Sequence, residues 1–246
     1  MLRVVFFDAA GTLFHTREPA GLSYAKIARR FGVEADQRTV IDAFKRAFSA
    51  APGLAFGPGH EAAHLRELER EWWHRLVSAT FADVGGFTDF EAYFDALFAF
   101  FADPANWVCD PDAPALLAAL DESGLELGVI SNFDHRIYGI LEALRLRSRF
   151  DSITISSEAG YAKPSPEIFR VALARHSLPA AQALHVGDSE ALDVAGAHAA
   201  GIAAVLIDLE ASLALAPQEP PPYAGHCVRV RSLGEVAAAL GQLSFP

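Results

Sequence analysis

Asp8 closes the apolar run Val4, Val5, Phe6 and Phe7, and the stretch FFDAAGTLF carries the chain from that acid into a turn of small residues. Ser131 and Asn132 close a second strand-like segment, LELGVISN. Lys163 stands in GYAKPSPEIF, and Asp188 and Asp193 stand in HVGDSEALD. These residue types form one chemical set. A carboxylate can act as a nucleophile. A hydroxyl and nearby amides can bind phosphoryl oxygens, and a Lys can offset the charge where nucleophile and phosphate meet. A carboxylate at a neighbouring strand end can hold Mg²⁺, which prefers one or two carboxylates plus substrate oxygens and water. Such a set suits phosphoryl transfer, where catalysis is mostly positioning and charge stabilisation.

The elements around these residues must bring them together. Residues 3–7 read as a strand buried on both faces. Residues 20–101 read as helices, with no strand. Leu22, Ile27 and Phe31 recur at helical spacing, as do Val40, Ile41, Phe44 and Phe48. Leu65, Leu68, Trp72, Leu76 and Val77 make a longer stripe. Thr88 with Glu91 reads as a capping box before Phe90, Phe94, Leu97, Phe98 and Phe101. APGLAFGPGH, residues 51–60, splits the region into two helical pairs. From about residue 108 helices and strands alternate, which predicts a parallel sheet with helices on both faces. Strands are expected in LELGVISN, FDSITISSE, ALHVGDS and IAAVLID. Helices are expected at about 112–122 and in HRIYGILEAL, SPEIFRVALARH and EALDVAGAHAAG. APQEPPPYAG reads as a stiff surface loop, and the tail as a short strand and the helix LGEVAAAL.

The fold class is therefore α/β: a Rossmann-like, doubly wound parallel sheet with an inserted all-helical module. The expected boundaries are 1–15 for the first strand of the core, 16–107 for the module and 108–246 for the rest of the core. Ligands of such sheets bind at the carboxyl ends of the strands, where the five polar positions and Lys163 collect.

Composition sets the outer limits. A chain of 246 residues with 52% hydrophobic content can bury a sizeable core. The formal net charge of -11 argues against a general nucleic-acid binder and against anionic membrane surfaces. Cys109 and Cys227 form no metal spacing and no disulfide framework, as expected in a reducing compartment. The N-terminus reads as a strand, not a signal peptide. No run reaches the about 18 apolar residues of a membrane span. The expected setting is cytoplasmic, with a small phosphorylated substrate, no nucleic acid or membrane partner, and a monomer or homodimer.

The segments DAAGTL, VISNFD, AKPSPEIF and HVGDSEALDVAGAHAAG, in this order, resemble the haloacid dehalogenase-like hydrolase superfamily. They are most similar to its branch with a helical cap after the first strand, and FFDAAGTLF to the REG-2-like group of that branch. The resemblance implies that Asp8 is a nucleophile forming an aspartyl-phosphate and a ligand of Mg²⁺. It implies that Thr12 supports the loop, that Ser131 and Asn132 bind the phosphoryl group, and that Lys163 pairs with Asp8 and the phosphate. Asp188 would ligate the metal, Asp193 directly or through water, and Ala10 through its backbone carbonyl.

The chain departs from that pattern at Ala10. Phosphatases of the superfamily have Asp there, which protonates the leaving oxygen and later activates water. Its loss removes general acid–base help of about 10²–10⁴-fold. Three readings follow. One is a phosphatase for good leaving groups, or one with a substitute acid or base such as His15 or His60. Another is carbon–phosphorus cleavage like that of phosphonoacetaldehyde hydrolase, which also has Ala there and uses a cap Lys; Lys26 is the residue to suspect. The third is a protein that binds a phosphorylated ligand without turnover. The dehalogenases fit less well, because they carry an aromatic residue at the position of Ala10.

Overall fold

The computed structural model describes residues 1–208, 227–241 and 243. The chain starts with β1 (Val4–Phe7) and β2 (Phe14–Thr16). Four helices follow: α1 (Ala20–Arg29), α2 (Gln37–Ala50), α3 (Ala62–Phe81) and α4 (Phe90–Ala102). Then come β3 (Trp107–Cys109), α5 (Ala113–Glu122), β4 (Glu126–Ser131), α6 (Arg136–Ala143), β5 (Ser152–Ile155) and the short α7 (Ser156–Ala159). The remainder is α8 (Pro166–His176), β6 (Ala183–Gly187), α9 (Ala195–Ala199), β7 (Ala203–Ile207), β8 (Cys227–Val230) and α10 (Val236–Leu240).

Among the described residues the main sheet has six parallel strands in the order β5-β4-β1-β6-β7-β8. Strand β1 is central and fully buried, and its alternation serves both faces. Val5 and Phe7 join the cluster that holds Leu117, Ile137 and Val236, while Val4 and Phe6 pack with Ile168, Phe169 and Val194. The chain order runs outward from β1 to β4 and β5, then returns to the other side of β1 with β6. The strand order therefore reverses between β1 and β6, and a ligand crevice is expected at their carboxyl ends.

The four helices α1–α4 pack around their own aromatic-rich core, which includes Tyr24, Val77, Phe81, Tyr93, Phe94 and Leu97. The chain enters and leaves this module through the antiparallel ribbon of β2 and β3, with Phe14 opposite Cys109 and Thr16 opposite Trp107. The sequence pattern gave no sign of this ribbon, because three-residue strands carry too few alternations to read. The capping box expected at Thr88 and Glu91 is corrected: the cap of α4 is Asp89, whose side chain accepts from the Ala92 N–H at 3.0 Å. The strand expected across FDSITISSE stops at Ile155, where the chain turns into α7. The Pro-rich APQEPPPYAG lies outside the described residues.

Beyond the ribbon, two of the contacts between module and core lie near the site. The backbone of Gly57 and Pro58, in the α2–α3 loop, lies against Gly160 just before the Lys163 segment. Helices α3 and α4 also meet the loop after β4. Here Asp134 is wholly buried and accepts from Arg136 Nε at 2.9 Å, Arg136 Nη2 at 2.5 Å and Trp73 Nε1 at 2.6 Å. The Arg136 guanidinium lies 4.2 Å from the centre of the Phe98 ring on α4. Burial pushes the Asp134 carboxyl up, but Arg136 outweighs it and holds the group below the usual range. A depressed carboxyl contributes stability above its unfolded pKa, about 3.9, and loses it as pH falls through the folded value. Asp134→Ala leaves Arg136 buried without its partner, so urea unfolding at pH 7 should show a loss of about 3–5 kcal/mol. The gap between native and variant should narrow below about pH 4.

Candidate active site

Each strand end supplies its side chain for a local reason. Asp8 follows β1, and its N–H donates to the Val186 carbonyl at 2.8 Å, which extends the β1–β6 ladder by one step. The chain must then leave the sheet in little space. Gly11 makes that exit with a φ of 103° against the Asp188 carboxylate, where a Cβ would collide with Asp188 Oδ2. Thr12 is buried behind this turn, and its Oγ1 has no hydrogen-bond partner in the protein. Ala10 is half-buried and bridges to Phe14.

Lys163 is buried and donates from Nζ to Asp8 Oδ1 at 2.6 Å and to Asp193 Oδ1 at 2.6 Å. Asn132, just past β4, fixes the Lys163 backbone from both sides. Its Oδ1 accepts from the Lys163 N–H at 2.7 Å, and its Nδ2 donates to the Lys163 carbonyl at 2.9 Å. Ser131 ends β4 next to it, buried. Asp188 follows β6 with an exposed side chain.

Asp193 owes its position to an irregular turn. The helix expected over 190–201 opens with π-type hydrogen bonding at Glu190–Val194 before α9. The N–H groups of Asp193 and Val194 both donate to the Ser189 carbonyl, at 2.8 and 3.3 Å. This wide turn aims the Asp193 carboxylate back at the end of β6, close enough that a Cβ on Gly187 would strike it. Its Oδ2 accepts from the Ser189 N–H at 2.9 Å, and Oδ1 meets His185 Nε2 at 2.8 Å.

His185 was not singled out in the sequence. It is wholly buried on β6, and burial pushes its pKa down. Its Nδ1 has no hydrogen-bond partner, which fits a neutral ring that donates from Nε2 to Asp193. The only signal was its place two residues before Gly187-Asp188. His15 is exposed on β2, and His60 is exposed with Nε2 against the Phe56 carbonyl at 2.7 Å. Lys26 is half-exposed on α1, with Nζ held by both Glu18 oxygens at 2.5 and 2.6 Å.

The electrostatics of the site are unbalanced. Carboxylate oxygens of Asp8, Asp188 and Asp193 lie within 4.8 Å of one another. One ammonium, Lys163, faces these three acids. Burial raises the Asp8 carboxyl despite Lys163. Partial desolvation, with the charges of Asp8 and Asp193 added, pushes Asp188 up to about 6 although its side chain reaches solvent. Asp193 is held well below the carboxylate range, because Lys163 and His185 outweigh its burial. For Lys163, burial pulls the pKa down, but Asp193 and Asp8 outweigh that and leave it raised. The excess negative charge, the all-oxygen donors and the exposed Asp188 edge fit a divalent, oxygen-preferring cation.

A family model for haloacid dehalogenase-like hydrolases matches residues 2–201. The chain belongs to the haloacid dehalogenase-like hydrolases. It is 36% identical to the bovine haloacid dehalogenase-like hydrolase domain-containing protein 3, over 84% of this chain and 82% of that one. It is 28% identical to a phosphoserine phosphatase of Thermus thermophilus, over 97% and 99% of the two chains. Among solved structures, the HAD-hydrolase YfnB of Bacillus subtilis, bound to magnesium, superposes with a TM-score of 0.73 at 18% identity, covering 97% and 98% of the two chains. The helical module is accordingly called the cap. No helix among the described residues is long and apolar enough to cross a membrane.

Proposed function

We propose that this hydrolase is a Mg²⁺-dependent phosphatase of a small phosphorylated metabolite, acting through a phosphoryl-aspartate at Asp8. The observation that carries this reading is the buried Asp8 carboxylate, fixed by Lys163 at 2.6 Å beside Asp188 and Asp193. One oxygen of Asp8 attacks phosphorus, the bond from phosphorus to the leaving oxygen breaks, and water later cleaves the acyl phosphate. Lys163 offsets the charge gathering between Asp8 and the phosphoryl oxygens. Ser131 offers a hydroxyl for that group, and Thr12, buried behind the Gly11 turn, supports the loop. Asn132 acts beside it chiefly by holding the Lys163 segment.

Asp8, Asp188 and the Ala10 carbonyl would hold Mg²⁺, with Asp193 acting through water because its oxygens already serve Lys163, His185 and Ser189. When bound, the ion supplies positive charge to the phosphoryl oxygens. Because Asp188 titrates at about 6, cation uptake there displaces a proton. Calorimetric Mg²⁺ affinity should fall about tenfold per pH unit below about pH 6. An affinity independent of pH from 5 to 7 would remove Asp188 from the ligand set.

Without an acid at position 10, acyl and aryl phosphates are the favoured substrates, since their leaving groups need little protonation. Phosphate release from acetyl phosphate and p-nitrophenyl phosphate, in Mg²⁺ and in EDTA, tests the reading. Release that is absent in both would leave the second reading, a protein that binds a phosphorylated ligand without turnover, which Ala10 favours. The carbon–phosphorus reading has no such support, because the Lys26 amine is occupied by Glu18. A cytoplasmic setting agrees with the free Cys109 and Cys227, and no nucleic-acid or membrane partner is proposed for a chain of net charge -11.

A further inference from the structure

Glu69 is the unexplained group. It lies in the middle of cap helix α3 with no exposed surface. Its Oε1 accepts from the His135 N–H at 3.3 Å, and its Oε2 pairs with His135 Nδ1. One turn further along α3, Trp73 donates to Asp134 at 2.6 Å. A buried carboxylate at such a seam is costly unless paired, and an apolar side chain of similar volume packs there at least as well for stability alone. What the carboxylate adds is a fixed docking geometry.

That geometry leads to the catalytic Lys. Asp134 and His135 belong to the short loop that begins with Ser131 and Asn132 at the end of β4. Asn132 in turn grips the Lys163 backbone by two hydrogen bonds. We propose that Glu69 is a positioning residue: with Trp73 it latches α3 to loop 132–135, and through Asn132 it transmits the seating of the cap to Lys163 and the phosphate-binding hydroxyl of Ser131. The assignment of Ser131 and Lys163 to a phosphate rests on the function proposed above; the latch itself does not.

The test uses the full chain with Glu69→Ala, Glu69→Gln and Trp73→Phe. Hydrogen exchange is read at residues 131–136 and 161–164, with β7 as an internal control, and inorganic phosphate affinity is measured with Mg²⁺ present. Glu69→Ala should speed exchange in both segments by about tenfold, the scale of one lost charge-assisted hydrogen bond, with β7 unchanged. Trp73→Phe should do the same to a smaller degree. Glu69→Gln should restore part of the protection, because its carbonyl still accepts from the His135 N–H while the ionic contact to Nδ1 is lost. Phosphate affinity should weaken with exchange across the three variants. Unchanged exchange in Glu69→Ala, or a rise spread equally over β7, overturns the latch. Loosening confined to 131–136 overturns the link to Lys163. If the native chain binds no phosphate, the proposed function fails, while the exchange pattern still decides the latch.

Discussion

Asp8→Asn should end Mg²⁺-dependent phosphate release, with a loss of about 10⁴-fold or more, the scale seen when an activated nucleophile is removed. The change is nearly isosteric and keeps an oxygen for Lys163, so the lost quantity is the anionic nucleophile itself. The fold should not suffer. Burial raises the Asp8 carboxyl even with Lys163 2.6 Å away, so its ionised form is less favourable in the protein than in water. For an acid with a raised folded pKa, the contribution to stability is present at low pH and declines as pH rises through that value. Asn carries no such charge. The Tm of Asp8→Asn in EDTA at pH 7 should therefore equal or exceed that of the native protein, an outcome common when a strained functional group is neutralised. Lost activity with a raised Tm would mark Asp8 as functional; a lowered Tm would make it a structural partner of Lys163. Release that persists at the native rate would place the nucleophile elsewhere.

What the sequence made legible follows from how far each feature depends on distant chain. Asp8 and Ser131 close apolar runs and Asp188 follows the strand ALHVG, and a parallel sheet gathers such ends along one edge, so local pattern sufficed to collect them. The helices α1–α4 were visible from periodicity because amphipathic spacing is local. The ribbon of β2 and β3 was hidden, since each strand is three residues long and its partner lies at the other end of the cap. His185 was hidden for a different reason. On a strand buried on both faces a neutral His reads as one more core position, and only the π-turn that swings Asp193 back gives it a partner. The same turn separates the roles of Asp188 and Asp193, which look alike in GDSEALD. One is exposed and titrates near 6; the other is buried and bonded to Lys163, His185 and Ser189. Glu69 was out of reach as well, because a single acid in a helical stripe reads as surface until the core loop that covers it is in place.

Ala10→Asp addresses the residue that divides the readings. Ala10 is half-buried beside Gly11, whose backbone runs against Asp188, so Asp at position 10 stands two residues from Asp8 at the carboxyl end of β1. The backbone carbonyl available to a cation is kept. If the rate is limited by the missing proton donor, restoring Asp should raise kcat by about 10²–10⁴-fold. The gain should depend on the leaving group. An alkyl phosphate departs as a strongly basic oxygen and needs protonation, so it should gain most; acetyl phosphate needs little and should gain least. Steady-state rates for acetyl, aryl and alkyl phosphates, each with native protein and variant, give the slope directly. A steep native dependence that flattens in Ala10→Asp would mean a phosphatase whose chemistry is set by Ala10. Activity that appears only in the variant would mean an intact phosphoryl-transfer scaffold whose native use is to bind. A variant no faster on any of the three would mean that proton transfer at this position does not limit the reaction.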